Sequence, residues 1–369
     1  MGAAPVSGFA ADLPVAGRTV LVTGGGERAL GRIAALREAG ADIHVVAHTV
    51  AASVLDLAER GLLRWDRRRV TQADVDAAWL VVSAGAPDTD AAVRGWAAQH
   101  RTFCLDVPTA QPGTGPSADP TVGLSGGAGR VILVGGGPGD PGLITVAGLE
   151  AVRAADVVVT DRLAPLAVLD QTRPGTEIVD VGKIPRGRFT PQERINQILV
   201  DRARAGKAVV RLKGGDNFVF GRGGEEWQAC AEAGLPVQVI PGVTAAVAVP
   251  GLAGIPLTHR TANQGFTVIT AHVPPGDPRS TLDYAALARS GTALVIMMGV
   301  ATLGAVAAEL IRHGLDPATP AATVADGGLP DQRVVRGSLA SIAHDIHAAG
   351  IRPPAITVIG SVAAFEPLS

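Results

Sequence analysis

Two stretches of the chain repeat one pattern, in which a continuous apolar run breaks into a glycine-rich turn. The first is "VLVTGGGERALG", residues 20–31, and the second is "VILVGGGPGDPGLIT", residues 131–145. A buried strand that runs through a glycine turn toward a helix opens an α/β unit built on a parallel sheet. Between the two stands "PTAQPGTGPSADPTVGLSGGAG", residues 108–129, rich in Pro, Gly and Ser and almost free of large apolar side chains. That composition reads as a linker. The chain of 369 residues is long enough for two or three well-buried domains.

The pattern predicts a flexible, Ala/Pro/Gly-rich N-terminus over 1–16 and a first α/β domain over 17–107. Strands are expected at "RTVLVT", "DIHVV", "WLVVSAG" and "RTFCLDV", with helices over 27–39 and 88–99. After Arg130 the alternation restarts. Strands are predicted at 130–134, 156–160, 208–212, 236–240, 266–270, 292–297, 320–325 and 355–360. Helices are predicted at 145–154, 191–205, 224–233, 244–252, 302–313 and 338–348.

Composition excludes several classes. A net charge of −2 and 3% aromatic residues lack the basic excess and stacking side chains of a nucleic-acid binder. Charged residues interrupt most apolar runs, the uncharged stretch over 233–258 is broken by four prolines, and no basic region precedes an apolar core at the N-terminus. Neither a membrane span nor a signal peptide is expected. Cys104 and Cys230 form no metal-ligand pair and read as reduced thiols of a cytoplasmic protein. His344 and His347 share a predicted helix face without a third ligand, so no metal site is expected. Of 32 basic residues only Lys183, Lys207 and Lys213 are lysines. In a chain that prefers Arg, a retained Lys marks a place where a compact, titratable ammonium suits the chemistry.

In the first turn Gly24, Gly26 and Ala29 match G-x-G-x-x-G/A between a strand and a helix. Such glycines let backbone N–H groups approach a pyrophosphate at a helix N-terminus. Gly24, Gly26, Glu27 and Arg28 would then hold NAD. The other reading is a Rossmann-like domain that no longer binds a dinucleotide. It draws on the second strand, which ends in "VVAHTVAAS", where an acid for the ribose hydroxyls is expected.

The second turn differs. Pro138 has no N–H to offer a phosphate, and Pro141 suits the approach to a helix near Thr145. The loop favours a ligand that needs backbone carbonyls and shape, such as the sulfonium of S-adenosyl-methionine. Asp161 closes "ADVVVTD" at the carboxyl end of a predicted strand, where open parallel sheets bind ligands. It could equally be a turn or N-cap residue. "RLKGGD" could be an ordinary tight turn, and Thr244 in "PGVTAA" a simple helix cap.

Two resemblances sharpen these readings. Residues 15–107, through "GRTVLVTGGGERALGRIAALREAGADIHVVA" and "WLVVSAGAPDTDAAVRGWAAQHRTFCLDV", resemble the NAD-dependent precorrin-2 dehydrogenase part of siroheme synthase. That family carries a catalytic Asp four residues beyond the Cys. Here that position is Pro108, the nearest acid is Asp106, and the linker replaces most of the helical segment that should follow.

Residues 130–363 resemble the tetrapyrrole methylase family, and within it the uroporphyrinogen-III C-methyltransferases. The blocks that carry the likeness are "VGGGPGDPGLIT", "ADVVVTDRL", "VVRLKGGDNFVFGRGGEE", "VIPGVTAAVAVPGLAGIPLTHR" and "VIMMGV". The resemblance implies an N-terminal Rossmann-like domain followed by a two-lobed methylase domain, with lobes over 130–245 and 246–369. It implies S-adenosyl-methionine held by Pro138, Gly214, Gly215, Asp216, Val219, Thr244, Ala245, Met298 and Gly327. It makes Asp161 a proton acceptor and Lys183 a proton donor. The implied reaction converts uroporphyrinogen III to precorrin-2 by methylation at C2 and C7. The implied assembly is a homodimer.

A substrate with eight carboxylates calls for several cations, with Arg suited to bidentate pairing. The motif blocks and their surroundings supply Arg162, Lys183, Arg186, Arg188, Arg211, Lys213, Arg222, His259 and Arg260. Of these, Arg162, Arg211, Lys213, Arg222, His259 and Arg260 are expected at the substrate. The family usually has Pro after the "GGD" aspartate, whereas this chain has Asn217. That change is expected to alter the turn and weaken donor binding modestly.

Overall fold

The computed structural model describes residues 13–107, 129–182 and 190–366. It divides into two compact units after Pro108. Lys183, Arg186 and Arg188, nearly all of the predicted linker and most of the predicted flexible N-terminus lie outside the described residues.

The first unit runs β1 (Thr19–Gly25), α1 (Leu30–Glu38), β2 (Asp42–Val50), α2 (Ala52–Glu59), β3 (Arg64–Asp66), α3 (Gln72–Asp76), β4 (Leu80–Ser83), α4 (Pro87–His100) and β5 (Phe103–Asp106). The strands form one parallel sheet in the order β3-β2-β1-β4-β5. Its central strands are apolar because both faces are covered. Val20 to Val22 and Val81 to Val82 are buried, with Val75, Val93 and Ala97 packed against Leu21 and Val81. The helix expected from Glu27 begins instead as a 3₁₀ turn over Glu27–Ala29, and the α-helix starts at Leu30. Short elements such as α2, β3 and α3 fall below the length at which periodicity is legible.

The second unit carries two sheets. The first contains β6 (Arg130–Gly135), α5 (Val146–Ala154), β7 (Val157–Thr160), β8 (Glu177–Asp180), α6 (Gln192–Arg204), β9 (Ala208–Lys213), α7 (Gly223–Glu232) and β10 (Val237–Ile240). Its five strands are parallel in the order β10-β6-β9-β7-β8. Thr145 starts α5 by accepting from the Gly148 amide at 3.1 Å. On one face Val131, Leu133, Val157, Val159 and Val209 pack against Ile195, Leu199 and Ala203 of α6 and Cys230 of α7.

The remaining elements are α8 (Ala245–Leu252), β11 (Phe266–Thr270), α9 (Tyr284–Arg289), β12 (Ala293–Met297), α10 (Leu303–Arg312), β13 (Pro320–Ala325), β14 (Arg333–Ser338), α11 (Ile342–Ala348) and β15 (Ala355–Ile359). Their sheet has the order β11-β12-β15-β13-β14. The alternation of strands and helices suggests a wholly parallel sheet, and here that expectation is overturned. β15 inserts between β12 and β13 and runs antiparallel to both, and β14 is antiparallel to β13. Alternation fixes that a crossover occurs, and only the tertiary placement of the last strand fixes its direction. One face packs Leu294, Ile296, Leu303, Val306, Leu310 and Ile342, while the other packs Val295, Val324 and Val358 against Ala246 and Val249 of α8. Among the described residues no helix is long and apolar enough to cross a membrane.

Candidate active site

In the parallel sheet of the second unit every strand ends on the same edge, the edge at which such sheets bind ligands. The loops that leave β6, β7, β9 and β10 are therefore neighbours. The β6 and β9 loops are joined backbone to backbone, and the Asp216 side chain ties in the β10 loop. Gly137 and Gly215 exchange amide–carbonyl hydrogen bonds of 3.1 and 2.6 Å, and the Gly136 amide donates to Lys213 O at 2.8 Å. The Asp216 carboxylate accepts from the Gly242 amide at 3.0 Å and from the Phe218 amide at 2.9 Å. Three loops expected from sequence to share a ligand are thus one hydrogen-bonded assembly.

The contacts leave no room for side chains. A methyl group on Gly242 would lie 2.4 Å from Gly215 O and from Gly135 C, and one on Gly214 would lie 2.2 Å from Leu163 O. Gly137 and Gly215 also hold φ of +85° and +67°, which only glycine adopts without strain. Thr244 caps α8, its hydroxyl accepting from the Ala246 amide at 3.4 Å. The capping reading of Thr244 therefore holds, and the cap also sets Ala245 beside Gly215.

The second sheet contributes from its own strand ends. Met298 follows β12 and Asp326 follows β13, both at positive φ of 55° and 51°. Met298 is half exposed. Next to Asp326, a methyl group on Gly327 would meet Val249 of α8 at 2.4 Å, and one on Gly328 would meet Pro138 Cγ at 3.5 Å. The glycine turn after β13 therefore closes on the proline of the β6 loop. Pro138, Gly214, Gly215, Asp216, Thr244, Ala245 and Gly327 come together, while Val219 and Met298 stand on loops at the same edges.

Beneath these loops lies a buried group of charges. Arg211, 3% exposed, donates through Nε to Glu226 at 2.9 Å and through a terminal nitrogen to Asp161 at 2.8 Å. Its other terminal nitrogen donates to Val159 O and Leu212 O. Lys213 Nζ donates to both oxygens of Glu226, at 2.9 and 3.1 Å. Gln192 on α6 donates to Glu226 at 3.3 Å. Two cations and two carboxylates balance.

Burial pushes the Asp161 carboxyl up, but Arg211 and Lys213 outweigh it and hold it below the usual carboxylate range. Burial, helped by the Arg211 charge, pulls the Lys213 ammonium below its ordinary value against Glu226. Asp161 also accepts from the Leu163 amide at 3.1 Å, so it is at once a turn residue and a carboxylate whose side chain is 26% exposed at the sheet edge.

This arrangement corrects two assignments. Arg211 and Lys213 were expected to meet the substrate, yet both are buried and committed to Glu226 and Asp161. Strand parity explains it: residues 209 to 213 alternate across a sheet covered on both faces, so all five are buried. Arg222, His259 and Arg260 are exposed and Arg162 is half-buried. Arg222 forms a surface pair with Glu225 at 2.6 Å. His259 contacts Thr261 and packs its ring near Phe365.

Glu226 was missed at the sequence level. Gly223, Glu226 and Cys230 form the buried stripe of α7 at helical spacing. An acid on that stripe is the signal that could have found it. Asn217 is fully buried and donates to Leu133 O at 3.2 Å and Ile240 O at 2.9 Å, so it clips the β9 loop to the ends of β6 and β10.

In the first unit Gly24 has φ +90°, and a methyl group there would strike Ala84 O at 2.6 Å. Space above Gly26 is open. The turn thus permits the close backbone approach that a dinucleotide pyrophosphate needs, and Glu27 is exposed beside it. Arg28 reaches across to Gly85 O at 3.0 Å and Val107 O at 2.5 Å. His48 and Thr49 are exposed at the end of β2. Asp106 is exposed and paired with Arg94 at 3.2 Å.

Comparison with known proteins follows these divisions. Residues 130–343 match the family described as Tetrapyrrole (Corrin/Porphyrin) Methylases, and residues 13–114 match one described as Putative NAD(P)-binding. A similar protein is the S-adenosyl-L-methionine-dependent uroporphyrinogen III methyltransferase of Methanosarcina barkeri, 46% identical over 65% of this chain and 94% of its own length. Siroheme synthase 1 of Cronobacter sakazakii is 34% identical over 94% of this chain and 92% of its own length. Other siroheme synthases match over about two-thirds of this chain, which spans about half their length. The crystal structure of Uroporphyrin-III C-methyl transferase from Thermus thermophilus complexed with S-adenyl homocysteine aligns with a TM-score of 0.53 at 41% identity. It covers 63% of this chain and 98% of that one.

Proposed function

The chain belongs to the tetrapyrrole methylase family, and from that premise we propose that it methylates uroporphyrinogen III at C2 and C7 to give precorrin-2, with S-adenosyl-methionine as donor. The observation that carries the proposal is the joining of the Pro138, Asp216 and Thr244 loops into one hydrogen-bonded assembly at the carboxyl edge of a parallel sheet. Glycines at 136, 214 and 242 make that assembly bare backbone, and Pro138 withholds an N–H. Such a cradle suits a sulfonium nucleoside better than a phosphate.

Pro138, Gly214, Gly215, Asp216, Val219, Thr244, Ala245, Met298 and Gly327 would hold the donor. When bound, it supplies an electrophilic methyl group. The residues of the chain align the pyrrole carbon with that group and keep water out. Asp161 accepts the proton that leaves the macrocycle. A carboxylate held below its ordinary range is a weak base, but the proton leaves a cationic macrocycle, so a weak base suffices. Lys183 is assigned the return of a proton, on the family resemblance alone. Arg162, Arg222, His259 and Arg260 would meet substrate carboxylates, while Arg211 and Lys213 act from beneath through Asp161 and Glu226.

A second reading adds oxidation of precorrin-2 to sirohydrochlorin with NAD, held at Gly24, Gly26, Glu27 and Arg28. The end-to-end similarity to a siroheme synthase and the open turn above Gly26 favour it. The surface pairing of Asp106 favours instead a binding or dimerisation module without that activity. A cytoplasmic homodimer belongs to the same proposal.

The test is incubation with uroporphyrinogen III and S-adenosyl-methionine, with and without NAD, followed by mass and absorbance spectra. Two added methyl groups per macrocycle are expected, and an unchanged mass refutes the methylase reading. A sirohydrochlorin spectrum only when NAD is present establishes the second activity.

A further inference from the structure

Glu226 touches no reacting group in the reaction just outlined, yet it is the most enclosed charge of the second unit's charge cluster, with no exposed surface. Its carboxylate takes hydrogen bonds from Arg211, Lys213 and Gln192, drawn from β9 and α6. The other charged or titratable groups around it are Asp161 beyond Arg211, Arg222 at the cap before its own helix, and Cys230 on that helix. A carboxylate with this many donors is fixed in place. Arg211 is therefore gripped at Nε by a fixed anion, and its far nitrogen is aimed at Asp161. The remaining bonds of Arg211 go to neutral backbone carbonyls, which hold a guanidinium less strongly than a carboxylate does.

We propose that Glu226 is the positioning residue of the proton acceptor, holding Arg211 so that the guanidinium sets the place and orientation of the Asp161 carboxylate. The proposal rests on the methylase reading for what Asp161 does, but not for how Asp161 is held. A plain structural role is the rival, in which Glu226 serves only to neutralise Lys213. Removing one member of a buried pair strands the other, whereas replacing both with apolar side chains is often tolerated.

The experiment compares Glu226→Gln with the double variant Glu226→Met/Lys213→Met, in the full chain. The single variant strands the Lys213 ammonium and is expected to melt lower. The double variant removes that penalty and is expected to regain its melting temperature. If Glu226 positions Asp161, kcat of the double variant stays about tenfold or more below wild type while KM for S-adenosyl-methionine stays within about threefold. Its crystal structure shows the Arg211–Asp161 contact of 2.8 Å opened.

Wild-type kcat in the double variant overturns the proposal, and so does an unmoved Arg211–Asp161 contact. Should the single variant fail to fold, the double variant carries the test alone. Should wild-type protein not methylate at all, the methylase reading fails, and the crystal structure still decides whether Glu226 holds Asp161.

Discussion

Asp161 shows how one side chain can be read two ways and be both. Its Leu163 bond is that of a turn residue, and its Arg211 bond keeps it ionised at the sheet edge. Asp161→Asn keeps the turn acceptor and loses the charge. The variant is expected to bind S-adenosyl-methionine normally, measured by calorimetry, and to methylate about 100-fold or more slowly. Near-normal turnover would remove Asp161 from the mechanism. The same residue gives a pH signature. A carboxylate held below its ordinary value stabilises the fold fully above that value, 3.8, and loses the contribution as pH falls through the lower folded value. The melting-temperature gap between wild type and Asp161→Asn should therefore hold steady from neutral pH to about 4 and close only below it. Asn217 makes a separate residue-scale case. Its Nδ2 bonds to Leu133 O and Ile240 O are buried, so Asn217→Ala should cost about 1–3 kcal/mol in denaturant unfolding. A neutral result would show that the clip contributes nothing. The sequence expectation treated Asn217 as a weakened proline, because a side chain that bonds two strands away leaves no local trace.

At the scale of elements, the site is a consequence of strand direction. Parallel strands deliver all their carboxyl ends to one edge, so the loops after β6, β7, β9 and β10 meet without any being long. What packs them is the absence of Cβ atoms. Gly242→Ala would drive a methyl group into Gly135 and Gly215 backbone at 2.4 Å, and neither strand end can yield. Loss of S-adenosyl-homocysteine binding, or of folding, is expected. Gly224, in the first turn of α7 with open space around it, is the matched control. Gly224→Ala should be neutral or stabilising by up to about 1 kcal/mol. Equal effects at both positions would mean that close backbone approach is not what joins the loops. The element scale also explains the reassignment of Arg211 and Lys213. "RLK" reads as a basic segment in one dimension, but in a strand covered on both faces each side chain must find an internal partner.

For the whole molecule, the two units have separate cores, one around Leu21 and Val81 and the others around the two sheets of the second unit. Unfolding is expected to show more than one transition. S-adenosyl-homocysteine at about 100-fold above its dissociation constant should stabilise one of them by about 2.7 kcal/mol, and NAD should move only the other. A single transition shifted by both ligands would show that the units unfold as one. The sequence by itself determined the α/β alternation, the glycine turns and the strand that carries Asp161, because these rest on local periodicity and on residues whose backbone freedom or restriction is intrinsic. Only the tertiary structure decided that β15 runs antiparallel between β12 and β13, that Arg211 and Lys213 are spent internally, and that Glu226 sits at the centre of the charge cluster. Those outcomes depend on which face of an element is covered and by what, a property that distant segments settle between them once the chain has packed.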